Sequence, residues 1–185
     1  MKKSPHPAQA NAISNAGPLI HFAKANALHI LQALYHTILI PQEVKTETVD
    51  KGKEKGHADA LQIEKAIHQG WIKTIQIQLN PDFQKAAKTA GVTKAEAAVI
   101  QHAYQNHQTA LLDDEAARIF ARTLGITIRG TLGILIQATK NNILNNQEGL
   151  QTLDKLTETM YISADLYKTT RKEIEKLTKG KEPTH

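Results

Sequence analysis

The sequence contains no cysteine among its 185 residues. A disulfide framework and a thiolate metal site are therefore both excluded, and any bound metal must be held by hydrophilic ligands. Aromatic residues are also scarce, with one Trp, four Tyr and three Phe. Stacking on aromatic side chains should therefore contribute little to any nucleic-acid binding.

Long apolar stretches are missing as well. No segment approaches the roughly 18 to 20 apolar residues that a membrane helix requires. Residues 1–11 have Pro5, His6 and Pro7 where a signal peptide would have an apolar run. We therefore expect a soluble, cytoplasmic protein with no membrane partner. The net charge of +5 at pH 7 is a weak indication of polyanionic partners.

Several catalytic motifs are absent. Neither G-x-x-x-x-G-K-[ST] nor G-x-G-x-x-G follows the first predicted strand, which argues against ATPases and dinucleotide-binding enzymes. The nine histidines show neither H-E-x-x-H nor the spacing of a catalytic triad. Each is therefore interpreted as a surface or structural residue, and no nucleophile is assigned.

What the sequence does contain is an alternation of short apolar runs with segments of helical periodicity. The apolar runs predict strands near residues 12–14, 37–40, 71–77, 109–112 and 126–128. Thr93 and Glu96 have the spacing of a capping box and predict a helix over residues 93–104. Such alternation predicts a three-layer α/β/α fold with a central, mostly parallel sheet of four to five strands, followed by C-terminal helices.

The predicted domain spans residues 12–160. A C-terminal helix over residues 161–179 is expected to pack on this domain or on a partner, and residues 1–11 and 180–185 are expected to be disordered. Between the elements, residues 50–56 hold two glycines and alternating charges, which predict a solvated loop. Residues 15–18 and the Asn80-Pro81 pair are likewise predicted to form turns.

Polar side chains follow several of the predicted strands. Asn15 comes directly after the first strand, Asp113 and Asp114 after the fourth, and Thr131 after the fifth. Ligands of parallel sheets bind beyond the carboxyl ends of the strands. Oxygen ligands without thiolates suit Mg²⁺ or Mn²⁺ rather than zinc. The pattern therefore predicts a hard-cation site and phosphate chemistry at this edge of the sheet.

Each acidic residue also has a purely structural explanation. Asp is favoured at the N-cap and in the first turn of a helix, so either Asp113 or Asp114 can cap while the other faces the crevice. Glu96 can complete the capping box with Thr93 instead of serving a site. Glu47 is more readily explained as a solvated helix carboxylate.

Several segments together resemble a branch of short prokaryotic PIN-like proteins related to VapC-type toxins. They are residues 13–20 (ISNAGPLI), 40–44 (IPQEV) with Glu47, 111–118 (LLDDEAAR), Gly125 and 130–135 (GTLGIL), so the resemblance covers residues 12–156. It implies a PIN-like α/β/α fold and an endoribonuclease that cleaves single-stranded RNA with Mg²⁺ or Mn²⁺. It also implies that the chain is the toxin of a toxin–antitoxin pair, with RNA, a small antitoxin protein and further copies of itself as partners.

The resemblance assigns site residues position by position. It implies a catalytic set that consists of Asn15, Glu96, Asp113, Asp114 and Thr131. Of these, the three acids and Asn15 would hold the metal, and Thr131 is the polar residue after the fifth strand. Glu47 is a further candidate of lower rank. Asn15 stands where the family usually has Asp, so it keeps a carbonyl oxygen but removes one negative charge and should weaken divalent-ion binding.

Two alternatives to a nuclease remain open at this point. A catalytically weakened PIN-like module that binds RNA or protein is supported by Asn15. A receiver-like phosphoacceptor domain would also gather Mg²⁺ with an acidic pair at strand ends. Against the second alternative, the acidic pair here follows the fourth strand and not the first.

Overall fold

A computed structural model describes residues 12–179, with side chains up to Leu177. Residues 1–11 and 180–185, for which disorder is expected, lie outside the described residues. Five short strands form one sheet in the order β3-β2-β1-β4-β5, and all neighbouring pairs are parallel. The strands are β1 (Ala12–Ser14), β2 (Ile38–Pro41), β3 (Ile72–Ile75), β4 (Thr109–Leu111) and β5 (Ile128–Arg129). The predicted parallel sheet is confirmed.

Helices connect each strand to the next, as parallel pairing requires. A π-helical turn, Thr46–Asp50, joins α3 to α4. None of the helices within residues 12–179 is long and apolar enough to span a bilayer. The helices are α1 (Ala16–Lys24), α2 (Leu28–Leu34), α3 (Gln42–Lys45), α4 (Lys51–Glu54), α5 (Ala58–His68), α6 (Pro81–Thr89), α7 (Lys94–Asn106), α8 (Glu115–Thr123), α9 (Thr131–Lys140), α10 (Asn146–Thr157) and α11 (Ala164–Lys179).

Two apolar clusters lie on opposite faces of the sheet. Successive strand residues alternate between the faces: Ala12 and Leu111 pack in one cluster, whereas Ile13, Ala110 and Leu112 pack in the other. The first cluster includes residues of α1, α2, α5, α9, α10 and α11, and the second includes residues of α6, α7 and α8. This arrangement confirms the predicted three-layer α/β/α fold.

The C-terminal helix α11 contacts the body of the fold. Ile174 is fully buried in the same cluster as the sheet residues. A Cβ added to Gly149 of α10 would lie 2.7 Å from Thr139 Oγ1 of α9 and 3.3 Å from Ile174 Cγ2, so these three helices approach closely. The division into a domain of residues 12–160 and a separate helix of residues 161–179 stays a prediction.

The prediction of a loop over residues 50–56 is wrong. The π-helical turn continues directly into α4, and Gly52 is buried there. A Cβ on Gly52 would lie only 2.7 Å from the Cβ of Ala60 in α5. The glycine is present because two helices touch at this position, while the neighbouring charges of Lys51, Lys53 and Glu54 remain exposed.

Two predicted turns are in fact helix starts. The side chain of Asn80 accepts hydrogen bonds from the backbone N–H groups of Asp82 and Phe83, and Pro81 occupies the first turn of α6. The apolar face of this short helix consists of Phe83, Ala86 and Ala87, of which only Ala87 is buried. At residues 15–18, helix α1 already begins at Ala16.

The strand register aligns the carboxyl ends of the strands. Ser14 pairs with Leu111 of β4, Ile13 pairs with Leu39 of β2, and Pro41 pairs with Ile75 of β3. The chain leaves β1 towards β2 on one side and later returns to β4 on the other side. The strand order therefore switches between β1 and β4, and in open α/β sheets the crevice beyond this point is where ligands bind.

Candidate functional site

Asn15 lies at the strand-order switch, immediately after β1. It is the N-cap residue of α1, yet its side chain makes no capping hydrogen bond. Instead its Nδ2 donates to Glu96 Oε1 at 3.2 Å. Its Oδ1 is buried and has no hydrogen-bond partner among the described residues. Because buried polar atoms are normally satisfied, this oxygen stands out as an unsatisfied acceptor at the strand-order switch.

Glu96 combines both roles that the sequence leaves open. Its Oε2 accepts from Thr93 N at 2.9 Å and from Thr93 Oγ1 at 2.7 Å, which completes the predicted capping box at the start of α7. Its Oε1 faces the Asn15 amide. Only 6% of Glu96 is exposed, so the carboxylate is held rigidly between a helix start and a strand end.

Asp113 is bound by two elements that flank the crevice. Thr131 donates to it twice, from N to Oδ1 and from Oγ1 to Oδ2, both at 2.7 Å. His21 Nδ1 lies 3.0 Å from Asp113 Oδ2. Burial alone would raise the pKa of Asp113, but the hydrogen bonds from His21 and Thr131 outweigh it and hold the pKa below its ordinary value. The residue is therefore an anchored anion.

Two glycines make room for this carboxylate. A Cβ on Gly17 of α1 would lie 3.0 Å from Asp113 Oδ2, and a Cβ on Gly130 would lie 3.1 Å from Asp113 Oδ1. Both approaches are tighter than ordinary side-chain contacts, so α1 and the start of α9 close on Asp113 only because these positions lack side chains.

Asp114 makes a different contact. It is exposed, and its Oδ1 caps α8 by accepting from Ala117 N at 2.9 Å. Of the two arrangements that the sequence allows for the acidic pair, Asp114 is the cap and Asp113 faces the neighbouring helices. Glu47 is exposed in the π-helical turn, and no described contact joins it to the other predicted site residues.

His21 is a site neighbour that the sequence interpretation missed, because it treated the histidines as scattered surface or structural residues. Gly17 and His21 are four residues apart and so lie on one face of α1. A glycine and a histidine on the same face of an otherwise apolar helix, starting just after Asn15, are the signal that would have placed His21 next to the strand ends.

Arg118 brings a cation to the same edge. Its Nη1 lies 3.7 Å from the position of a Cβ on Gly130 and 3.7 Å from Glu115 Oε2. Its Nε is buried and makes no hydrogen bond within residues 12–179. The guanidinium therefore has an unused donor close to the start of α9.

The donor chemistry fits a hard cation, with fewer charges than an all-carboxylate centre. No group of three or more His, Asp or Glu residues within residues 12–179 is placed to hold a metal, and both oxygens of Asp113 already accept hydrogen bonds. The acceptors that could hold an ion are Asn15 Oδ1, Glu96 Oε1, the exposed carboxylate of Asp114 and, through its second lone pair, Asp113 Oδ1. All are oxygens, which is the ligand type that Mg²⁺ and Mn²⁺ prefer.

Comparison with known proteins identifies the fold family. A family model described as a PIN domain matches residues 11–176, which include all five strands and most of α11. No curated protein and no solved structure matches the chain. The strand order β3-β2-β1-β4-β5 also differs from the 2-1-3-4-5 order of receiver domains, which removes that alternative. PIN domains are generally nucleases and typically use divalent metal ions. The chain belongs to the PIN-domain family.

Proposed function

We propose that this protein is a metal-dependent endoribonuclease that acts on single-stranded RNA. The observation that carries the proposal is the pair formed by Asn15 and Glu96 at the strand-order switch. The amide oxygen of Asn15 is buried and has no hydrogen-bond partner among the described residues. The amide nitrogen of the same side chain lies 3.2 Å from the anchored carboxylate of Glu96. A hard cation is the ligand that such oxygens favour.

Asn15, Glu96 and Asp114 would hold the ion, which when bound supplies a water of lowered pKa and stabilises the leaving oxygen. Because Asn15 is uncharged, the set carries one negative charge fewer than the usual family site. We therefore expect weak affinity for Mg²⁺ or Mn²⁺.

The other site residues act through position. Asp113 is a positioning residue, since it fixes Thr131 at the start of α9 and His21 in the last turn of α1. The guanidinium of Arg118, whose Nη1 lies beside the start of α9 on a partly exposed side chain, would bind the phosphate backbone, for which its planar shape is well suited. Single strands are favoured because the phosphate must reach the acids in the crevice.

The toxin role rests on the resemblance to VapC-type proteins. In that role the substrate lies in the cytoplasm, a small antitoxin covers the site, and copies of the chain pair through their helices. Apolar side chains near the C-terminus support such contacts, because Tyr161 is 90% exposed and Leu166 of α11 is 48% exposed. Light scattering with and without a co-expressed antitoxin tests both partners.

A second candidate function is an RNA- or protein-binding module without catalysis. It is favoured by the hydrogen bonds that both oxygens of Asp113 accept from Thr131 and by the lack, within residues 12–179, of a cluster of three metal-binding acids or histidines. In such a module Asp113 is purely structural.

Cleavage of a labelled single-stranded RNA with Mg²⁺ or Mn²⁺ separates the two functions. Glu96→Gln keeps a side chain able to complete the capping box, and Asp114→Asn keeps an N-cap, so neither change should unfold the chain. The matched control is Glu148→Gln, in the exposed capping box of α10.

For a nuclease, we expect metal-dependent cutting that is lost in Glu96→Gln and Asp114→Asn and retained in Glu148→Gln. Cutting that appears only in Asn15→Asp indicates a binding module with a decayed metal site. Cutting that is unaffected by all of these changes contradicts the proposed site.

A further inference from the structure

A cleft of about 490 Å³ opens at the carboxyl edge of the sheet, next to the candidate site. Its volume lies within the range of roughly 300 to 1,000 Å³ that is typical of ligand pockets. None of its residues belongs to the metal or positioning set described above. The lining consists of Gln42, Glu43, Thr46, Lys51, Gln76 and Ile77.

The strand register gives the position of the cleft relative to the site. Pro41 and Ile75 are paired partners at the ends of β2 and β3, and Gln42 and Gln76 are the residues that follow them. Asn15 follows β1, the next strand of the sheet. Adjacent strands are roughly 4.8 Å apart, so the cleft lies roughly 5 to 10 Å from Asn15 along the sheet edge. A strand of RNA with one phosphate at Asn15 therefore carries its neighbouring nucleotide into the cleft.

The neutral side chains of the cleft have the chemistry of base recognition. Gln42 and Gln76 are exposed, and each amide offers both donors and an acceptor to the edge of a base. Ile77 packs partly against the apolar cluster of α6, α7 and α8 and supplies an apolar wall for the face of a base. The lining contains no aromatic residue, so recognition has to come from hydrogen bonds rather than stacking.

The charges of the cleft favour a phosphate. Lys51 is exposed and has no acidic partner within residues 12–179 that would compete for its ammonium group. The negative charge of Glu43 is neutralised by Lys94, whose Nζ lies 3.9 Å from Glu43 Oε1. This pair is largely exposed, with 64% and 41% of the two side chains accessible, so it contributes little to stability and can open without a large loss. The cleft therefore carries one uncompensated positive charge.

We propose that this cleft binds the nucleotide adjacent to the scissile phosphate and sets the base preference of the protein. Lys51 binds the phosphate of that nucleotide, and Gln42 and Gln76 contact the edge of its base. The inference rests on the proposed function, because it takes single-stranded RNA as the ligand. It extends that function by naming residues that select the sequence.

The test is the binding of fluorescently labelled single-stranded oligomers of U, C and A, measured by anisotropy in EDTA so that cleavage is not required. The native chain is compared with Lys51→Ala, Gln42→Ala and Gln76→Ala. Matched controls are Lys172→Ala on α11 and Gln151→Ala on α10, which remove the same functional groups from exposed positions.

We expect the native chain to prefer one base and Gln76→Ala or Gln42→Ala to reduce that preference. Lys51→Ala should weaken binding of all oligomers by roughly 3- to 10-fold and reduce the slope of log K against log salt by about 0.7. The proposal is overturned if the native chain shows no base preference, or if the cleft variants bind like the two controls.

A separate cleavage assay keeps this inference distinct from the nuclease proposal. If binding depends on the cleft residues but no cleavage is seen, the nuclease proposal is refuted and the cleft proposal is supported. If cleavage requires Glu96 but the cleft variants bind RNA normally, the cleft proposal is refuted and the nuclease proposal is supported.

Discussion

Replacing Asn15 by Asp puts a second carboxylate against Glu96. The change removes the hydrogen bond from Asn15 Nδ2 to Glu96 Oε1, and a hydrogen bond to a charged group contributes about 1.5 to 3 kcal/mol. It also adds like-charge repulsion, which at 3.2 Å and an effective dielectric constant of about 20 amounts to about 5 kcal/mol. The pair can lower this repulsion by binding a proton, as closely spaced carboxylates do. We therefore expect a net loss of about 2 to 4 kcal/mol in metal-free buffer at pH 7.

The loss should depend on pH and on metal. Repulsion raises the pKa of the carboxylate pair in the folded state, so the destabilisation is fully present above that pKa and disappears as the pH falls towards about 4. A divalent ion stabilises the same pair and should reverse the effect, whereas the native chain should gain less from the ion because it carries one charge fewer.

Thermal unfolding in EDTA, with Mg²⁺ and with Mn²⁺ measures both effects. A loss of 2 to 4 kcal/mol corresponds to a fall in Tm of roughly 5 to 15 °C for a domain of this size. Asn145→Asp is the matched control, because Asn145 also stands next to a glutamate in a capping box but is exposed. If Asn15→Asp is as stable as this control in EDTA, the described contact between Asn15 and Glu96 is wrong. If it gains no more stability from Mn²⁺ than the native chain, the pair does not bind a divalent ion.

Three further predictions concern stability. Because the pKa of Asp113 is lowered on folding, its carboxylate stabilises the fold above about pH 4, and this stabilisation is lost as the pH falls through the folded-state pKa. The free energies of unfolding in urea of the native chain and of Asp113→Asn should therefore become equal at low pH. A difference that stays constant with pH would refute the role of Asp113 as an anchored anion. Gly52→Ala brings two Cβ atoms to 2.7 Å, so a double-mutant cycle with Ala60→Gly should give a coupling of at least about 1 kcal/mol, and additivity would contradict the packing. Ile174→Ala should cost about 2 to 4 kcal/mol because Ile174 is fully buried, against less than about 0.5 for the half-exposed Leu166→Ala; equal effects would mean that α11 does not pack on the domain.

The sheet was predictable because its strands are short apolar runs that stop at polar residues. Asn15 and Asp113 mark two of these ends, and the alternation with helices required parallel pairing. Helix α7 was predictable from the capping box of Thr93 and Glu96, which the structure contains. These sequence patterns are local, so they can be recognised without knowing how distant segments pack.

The features that escaped prediction depend on contacts between distant segments. The sequence alone predicts a loop residue at Gly52, because the contact with Ala60 of another helix is not visible in it. It likewise suggests a surface or structural role for His21, because Asp113, which lies 3.0 Å from His21, is 92 positions later in the chain. The roles of Asp113 and Asp114 could not be separated for the same reason, since the contacts of Asp113 with Thr131 and His21 distinguish the two residues.

The capping roles of the acids affect how such a site would erode under mutation. Glu96 and Asp114 each satisfy the start of a helix, so selection for folding alone would preserve both even in a lineage that had abandoned catalysis. Asn15 makes no capping hydrogen bond with its side chain, so this position is free of that constraint. The acids at positions 96 and 114 are therefore a poorer guide to activity than the identity of residue 15.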